Sequence, residues 1–231
     1  MWYKSWVEVR WRLVLMALLN TFIAALLLDD TVPAAVWRNR LIGNLPIIFA
    51  MNAIVLAGSG IASQLSQRPG QVVHPSMMFL LSLPISRKRI VLVRQAVGAI
   101  ASLGLLFATM AVYAVTAPEM RELLTIRTGA LFMVCVASAA LTAYAASALL
   151  STVLDQLWQT YGAMGLVAVA LGAFPAARFW SALLPTNTPN ASTSDAVLAA
   201  WPSVAVGLLA CVLLSTAMVL LSVRVVQRKQ F

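Results

Sequence analysis

An all-α membrane protein with six transmembrane helices is the fold class this sequence predicts, and three observations predict it. The first is composition: 61% of the 231 residues are hydrophobic, 10% are charged, and the mean hydropathy is +0.90. Soluble domains carry roughly 25% charged residues, so this chain has too little polar surface to face water. The second is a set of six apolar runs, at residues 13–28, 41–62, 90–114, 129–150, 161–176 and 204–223. A bilayer core of about 30 Å needs about 20 apolar residues per helix, with about 17–25 tolerated. The third is the placement of the basic residues beside alternate ends of these runs.

Orientation follows from that placement. With an inner N-terminus, the inner side holds Lys4, Arg10, Arg12, Arg68, Arg87, Lys88, Arg89, Arg94, Arg224, Arg228 and Lys229. The outer side holds Arg38, Arg40, Arg121, Arg127 and Arg178, five cations against eleven. Acids divide the other way, with Glu8 and Asp155 inside and Asp29, Asp30, Glu119, Glu122 and Asp195 outside. The inner side therefore carries the whole net charge of +9. Cytoplasmic connections are rich in Lys and Arg, so both termini are expected in the cytoplasm and the chain in the cell membrane. This also accounts for the pI of about 10.6 without nucleic acid, for which no basic soluble domain is available.

The first twelve residues read MWYKSWVEVRWR. On a helix, Trp2 and Trp6 share a face with Val9 close by, while Lys4, Glu8 and Arg12 fall on another. Tryptophan favours the headgroup level and basic residues meet anionic lipid. An amphipathic helix over 1–12, lying on the inner leaflet, is expected; the alternative is a first span extended by an aromatic belt. No small-residue cleavage site follows Leu28, where Asp29 and Asp30 stand instead, so the first run reads as a retained span.

Spans three and four are rich in small residues. Gly98, Ser102 and Gly104 lie in the third; Ala139, Ala143 and Ser147 share one face of the fourth, with Ser138, Thr142 and Ala146 beside it. Small residues let helices approach closely in lipid, either within the chain or between subunits. The chain reads as one transmembrane domain over 1–231, with a cytoplasmic loop at 64–89 and an extracytoplasmic loop at 177–201. Within the second loop, Arg178 to Leu184 is amphiphilic and too short to span. It either dips into the outer leaflet as a re-entrant segment or forms a plain loop with an interfacial patch.

The cytoplasmic loop carries an apolar core, Met77 to Leu83, bracketed by Pro75 and Pro84. Proline suits the first turn or the exit of a helix, so a short apolar helix is expected at the membrane surface. An apolar patch beside water often marks a partner.

The stretch FLLSLPISRKRI, residues 79–90, resembles the loop between the second and third spans of bacterial type-two ABC exporter permeases. The amphipathic N-terminus, the six spans and the re-entrant-like stretch agree with that resemblance. Where many members carry an acidic residue before a Gly-Thr pair, this chain has Arg68, Pro69, Gly70 and Gln71. The resemblance implies a dimer of permease subunits, the second copy identical to the first, driven by two separate ATPase subunits. It makes 75–84 a coupling helix that contacts the ATPase through Pro75, Met77, Met78, Phe79, Leu80, Leu81, Leu83, Pro84 and Arg87. It also places the second and fifth spans along the translocation path, where this chain offers Asn44, Asn52, Ser59, Tyr161 and Met164. Asn44, two residues before Pro46, could instead satisfy backbone groups at a disturbed helix start. An apolar, uncharged path suits a lipid-like, amphiphilic or drug-like substrate. ATP and magnesium would belong to the partner, because the chain has no G-x-x-x-x-G-K-[ST] loop and no cofactor motif of its own.

Three other classes compete. An enzyme would need a nucleophile, base or metal set, yet neither H-E-x-x-H nor G-x-S-x-G occurs. His74 is the sole histidine, and Cys135 and Cys211 lie in apolar runs without ligand partners at suitable spacing. A secondary transporter or channel usually keeps ionisable residues in its spans, whereas here Arg94 lies one turn inside the third span and can snorkel outward. A membrane scaffold would need only the spans.

Overall fold

The computed structural model describes residues 2–26, 34–57, 86–116, 120–121, 124, 126–154, 161–165 and 193–228. These form five long helices in chain order: α1 (Trp2–Leu26), α2 (Ala34–Ala57), α3 (Arg87–Thr116), α4 (Ile126–Val153) and α5 (Thr193–Arg228). Residues 161–165 add a single helical turn, and no strand occurs among the described residues. Four stretches are long and apolar enough to cross a membrane: Ser5–Leu26, Lys88–Thr116, Gly129–Val153 and Ala205–Arg228. A shorter apolar stretch, Ile47–Ala57, ends α2. The architecture is that of a multi-pass, all-helical membrane protein.

The N-terminal segment departs from the sequence expectation. Residues 2–12 do not form a separate interfacial helix but continue into the first span as one helix, α1. No glycine or proline interrupts Trp2–Leu26, so nothing breaks the hydrogen-bond ladder. Packing supplies the second reason: Val9 is buried with Met16 against Leu56 of α2 and Val97, Ala101 and Leu105 of α3. The last helix departs too. It begins at Thr193, so the final part of the expected 177–201 loop is helical and continuous with the last span.

Helix α3 starts where Ser86 leaves the helical path, its carbonyl accepting the amides of Arg89 at 2.9 Å and Ile90 at 3.3 Å. It stops at Thr116, just before the sequence Ala117-Pro118, where proline disfavours further helix in the residue before it. Below α4 a turn is closed by the Leu124 amide donating to the Met120 carbonyl at 3.0 Å.

Contacts fix the directions of the helices. The Arg12 guanidinium donates to the Val55 carbonyl at 3.4 Å, and Asn52 Nδ2 donates to Asn20 Oδ1 at 3.3 Å, so α1 and α2 run antiparallel. Gly98 of α3 lies under the Tyr144 ring of α4, and Arg94 lies within electrostatic reach of the same tyrosine. At the far end Arg121 reaches the Ala114 carbonyl of α3 and the Leu124 backbone lies against Gly129 of α4, so α3 and α4 form an antiparallel hairpin. Thr142 of α4 meets Ser215 of α5 at 3.1 Å, while Cys135 lies within electrostatic reach of Cys211. Contacts therefore advance along both chains together, and α4 and α5 run parallel.

The main core lies between α2, α3 and α4. Leu45, Phe49, Ala53 and Ile54 meet Leu106, Met110 and Tyr113 on one side and Phe132, Val136 and Ala140 on the other. The outer faces are as apolar as the core: Leu15, Leu18, Leu19 and Phe22 on α1 and Val206, Leu209, Val212 and Leu213 on α5 are all exposed. In water such a surface would be an association site of unusual extent; in lipid it is the solvated face.

Candidate functional site

Most of the expected coupling residues, Pro75, Met77, Met78, Phe79, Leu80, Leu81, Leu83 and Pro84, lie outside the described residues, as does Ser59. Arg87 is the first residue of α3. The loop that carries them is nevertheless anchored at both ends to the same end of the bundle. Leu56, near the close of α2, and Val97, near the start of α3, share one buried cluster with Val9.

Of the expected path residues, Asn44, Asn52, Tyr161 and Met164 fall on described elements. Asn44 lies on α2 beside Pro46, through which the helix runs unbroken. Tyr161 is exposed. Met164 is partly buried against the main core, beside the buried Ala163, and Gly162 faces Leu150 and Leu154 of the α4 end. Asn52 has a defined polar partner.

That partner is Asn20 of α1, which the sequence reading passed over. Asn20 is 2% exposed and Asn52 4% exposed, and the two amides meet at 3.3 Å between apolar helices. Polar side chains at membrane depth face protein or a cavity, and here each faces the other. The pair is not fully satisfied, since Asn20 Nδ2 is buried with no hydrogen-bond partner. A buried unpaired donor costs about 1–3 kcal/mol. The signal that could have found Asn20 was a lone amide midway along the first apolar run, matched by Asn52 midway along the second.

A second polar line joins α4 to α5. Thr142 Oγ1 donates to the Ser138 carbonyl at 2.8 Å and meets the Ser215 hydroxyl at 3.1 Å, while Ser215 Oγ donates to the Cys211 carbonyl at 2.7 Å. Each hydroxyl bonds its own helix backbone, and Thr142 reaches across the interface to the Ser215 hydroxyl and to the Cys211 carbonyl at 3.5 Å. The neighbouring small residues Ala143, Ala146 and Ser147 are buried within the chain, so their close approach serves the intrachain bundle. Gly98 does the same against Tyr144, but Gly104 opens on free space.

The helix directions also sort the charges. The starts of α1 and α3 and the ends of α2, α4 and α5 lie together. Exposed Arg10, Lys88, Arg89, Arg224 and Arg228 therefore stand at one end of the bundle. Arg121, whose Nε donates to the Ala114 carbonyl at 3.3 Å, stands at the other. Arg10 also lies over the Trp11 ring, 5.5 Å from its centroid, and Trp6 and Trp11 are exposed in the first half of α1.

The chain matches no protein-family description, no curated protein and no solved structure.

Proposed function

We infer that this chain is the membrane permease subunit of an ATP-driven exporter, working as a dimer with two copies of a separate ATPase. The observation that carries the reading is the stretch 79–90, FLLSLPISRKRI, whose last four residues open α3. It resembles the coupling loop of type-two ABC exporter permeases. Both helix ends that bound it belong to the cationic end of the bundle, which supports a cytoplasmic loop within reach of a soluble partner.

Six crossings fit this arrangement. Helices α1, α2, α3 and α4 alternate in direction, and α5 repeats the direction of α4. The chain between Val153 and Thr193 must then return to the opposite end before α5 begins, which allows a fifth span over 161–176. Both termini fall on the cytoplasmic side in this reading, and the chain lies in the bacterial inner membrane.

Coupling would work through contacts that differ between ATPase states. ATP can shift the permease only by its differential interaction with two arrangements. In this reading the 75–84 segment receives the motion, and α2 and α3, attached at either side, carry it into the core. The substrate class is lipid-like, amphiphilic or drug-like, since the described buried faces offer amides and hydroxyls among apolar side chains.

The test is co-purification. The chain is expressed with its genomic neighbours, extracted in mild detergent, and examined for a bound ATPase. Leu80→Asp with Leu83→Asp should release that ATPase while the melting temperature of the bundle stays within a few degrees. If no ATPase accompanies the chain, or if the double variant binds it equally well, the coupling assignment fails and a carrier or scaffold becomes the better account.

A further inference from the structure

We propose that the cationic end of the bundle is a binding belt for anionic phospholipid headgroups, built by α1, α3 and α5 together. Three observations converge on it. Lys88 and Arg89 are exposed at the start of α3, Arg224 and Arg228 at the end of α5, and Arg10 near the start of α1. Helix α3 packs against both α1 and α5, so its two cations stand between those of its neighbours. The exposed indoles of Trp6 and Trp11 lie on the same end of α1, with Arg10 over Trp11.

The chemistry favours lipid over an acidic protein. Indole rings settle at the headgroup level, where an apolar body and a polar N–H are both satisfied. The cations follow the perimeter of three helices, each continuous with an apolar outer face: Leu15 and Leu18 above Arg10 on α1, Leu220 and Leu221 beside Arg224 on α5. A headgroup phosphate at that level reaches the cations while its acyl chains lie along those apolar faces. Arg228 in the last turn adds the favourable end of the helix dipole to its own placement. Two cations four residues apart on α5, Arg224 and Arg228, lie on one side of the helix. This proposal does not depend on an ATPase partner.

The experiment uses the full chain in mild detergent, titrated with dioleoyl phosphatidylglycerol or dioleoyl phosphatidylcholine and read by native mass spectrometry. Phosphatidylglycerol should bind more tightly. Each neutralised cation should weaken it about fivefold, so Arg224→Gln with Arg228→Gln should weaken it about 25-fold. Adding Lys88→Gln and Arg89→Gln should abolish the preference. A charge-keeping set, Lys88→Arg, Arg89→Lys, Arg224→Lys and Arg228→Lys, should retain it, and raised salt should weaken it in the parent. Should the fourfold neutral variant fail to fold, the α5 pair alone still decides the matter, because both its side chains are exposed in the last turns of α5. Equal binding of the two lipids by the parent protein would overturn the proposal. So would a preference that survives neutralisation, or a lipid preference left intact while a co-purified protein is released.

Discussion

Alanine placed at Gly98 and at Gly104 should move stability in opposite directions, although both positions lie on α3. A Cβ at Gly98 would sit 2.6 Å from Tyr144 Cζ and 2.7 Å from Cε2, and nearer still to the hydroxyl oxygen. Tyr144 is only 5% exposed, so its ring has little room to retreat. A Cβ at Gly104 would meet nothing within 4 Å. Both substitutions gain the same helix preference, about 0.5–1 kcal/mol for alanine over glycine. That gain cancels in the comparison, leaving the overpacking cost of about 1–3 kcal/mol at Gly98. For a chain of this size, each kcal/mol moves the melting temperature by about 2–4 °C. Gly98→Ala should therefore melt roughly 2–12 °C below Gly104→Ala, measured by intrinsic fluorescence on purified protein in one detergent. Tyr144→Phe, which removes the nearest atom and keeps the ring, should recover part of the loss in the Gly98→Ala background. If Gly98→Ala matches Gly104→Ala, Tyr144 does not pack over Gly98 and the α3–α4 hairpin is wrongly registered.

Three further outcomes test the same arrangement. Asn20→Leu leaves the Asn52 amide buried without its acceptor and should destabilise by about 1–3 kcal/mol; Asn20→Leu with Asn52→Leu should recover much of that, and a loss in the double variant equal to the two single losses added together would show that the amides do not interact. Thr142→Cys with Ser215→Cys, in a background with Cys135→Ala and Cys211→Ala, should cross-link within one chain on mild oxidation, whereas cross-links formed only between chains would contradict the parallel packing of α4 on α5. Single cysteines at Lys88 and Arg228 should react with an impermeant thiol reagent from one side of sealed vesicles, and one at Arg121 from the other; labelling of Lys88→Cys and Arg121→Cys from the same side would remove α3 as a complete crossing.

Spans three and four were legible in the sequence because their apolar runs end at strong local signals. The expected 90–114 and 129–150 lie inside α3 (Arg87–Thr116) and α4 (Ile126–Val153). Basic residues open the one, and Pro118 follows shortly after its end. The N-terminus was not legible in the same way. Its tryptophans and alternating charges describe an interfacial helix, but Val9 finds a buried place against α2 and α3 that no local pattern announces. The polar site illustrates the same limit. Asn52 stood out as an amide in an apolar run, yet its partner is 32 residues away, and such a pairing is set by the helix packing. The two glycines of α3 were read together as a close-approach surface. They are six residues apart, about 120° around a helix from one another at about 100° per residue, so only one could face Tyr144.

The direction of α5 links the packing to the proposed mechanism. If α4 and α5 were antiparallel neighbours, a short loop could join them and the proposed coupling loop would act on α2 and α3 alone. Their parallel packing agrees with the proposed fifth span, and the described turn at 161–165 lies against the bundle: Ala163 joins the main core and Gly162 faces Leu150 and Leu154. That core also contains Phe49 and Ala53 of α2 and Leu106 and Met110 of α3. A displacement delivered to the 58–85 connection would therefore enter through α2 and α3 and meet α4 directly. It need not pass through α1, whose own contacts are chiefly with α3. Beside that route lies the seam between α1 and α2. Among the described residues that bridge it is the Asn20–Asn52 pair, in which Asn20 Nδ2 has no partner. Packed cores tend to have discrete alternatives rather than to deform smoothly. A seam held by an incompletely satisfied polar pair is where a second arrangement would cost least to reach.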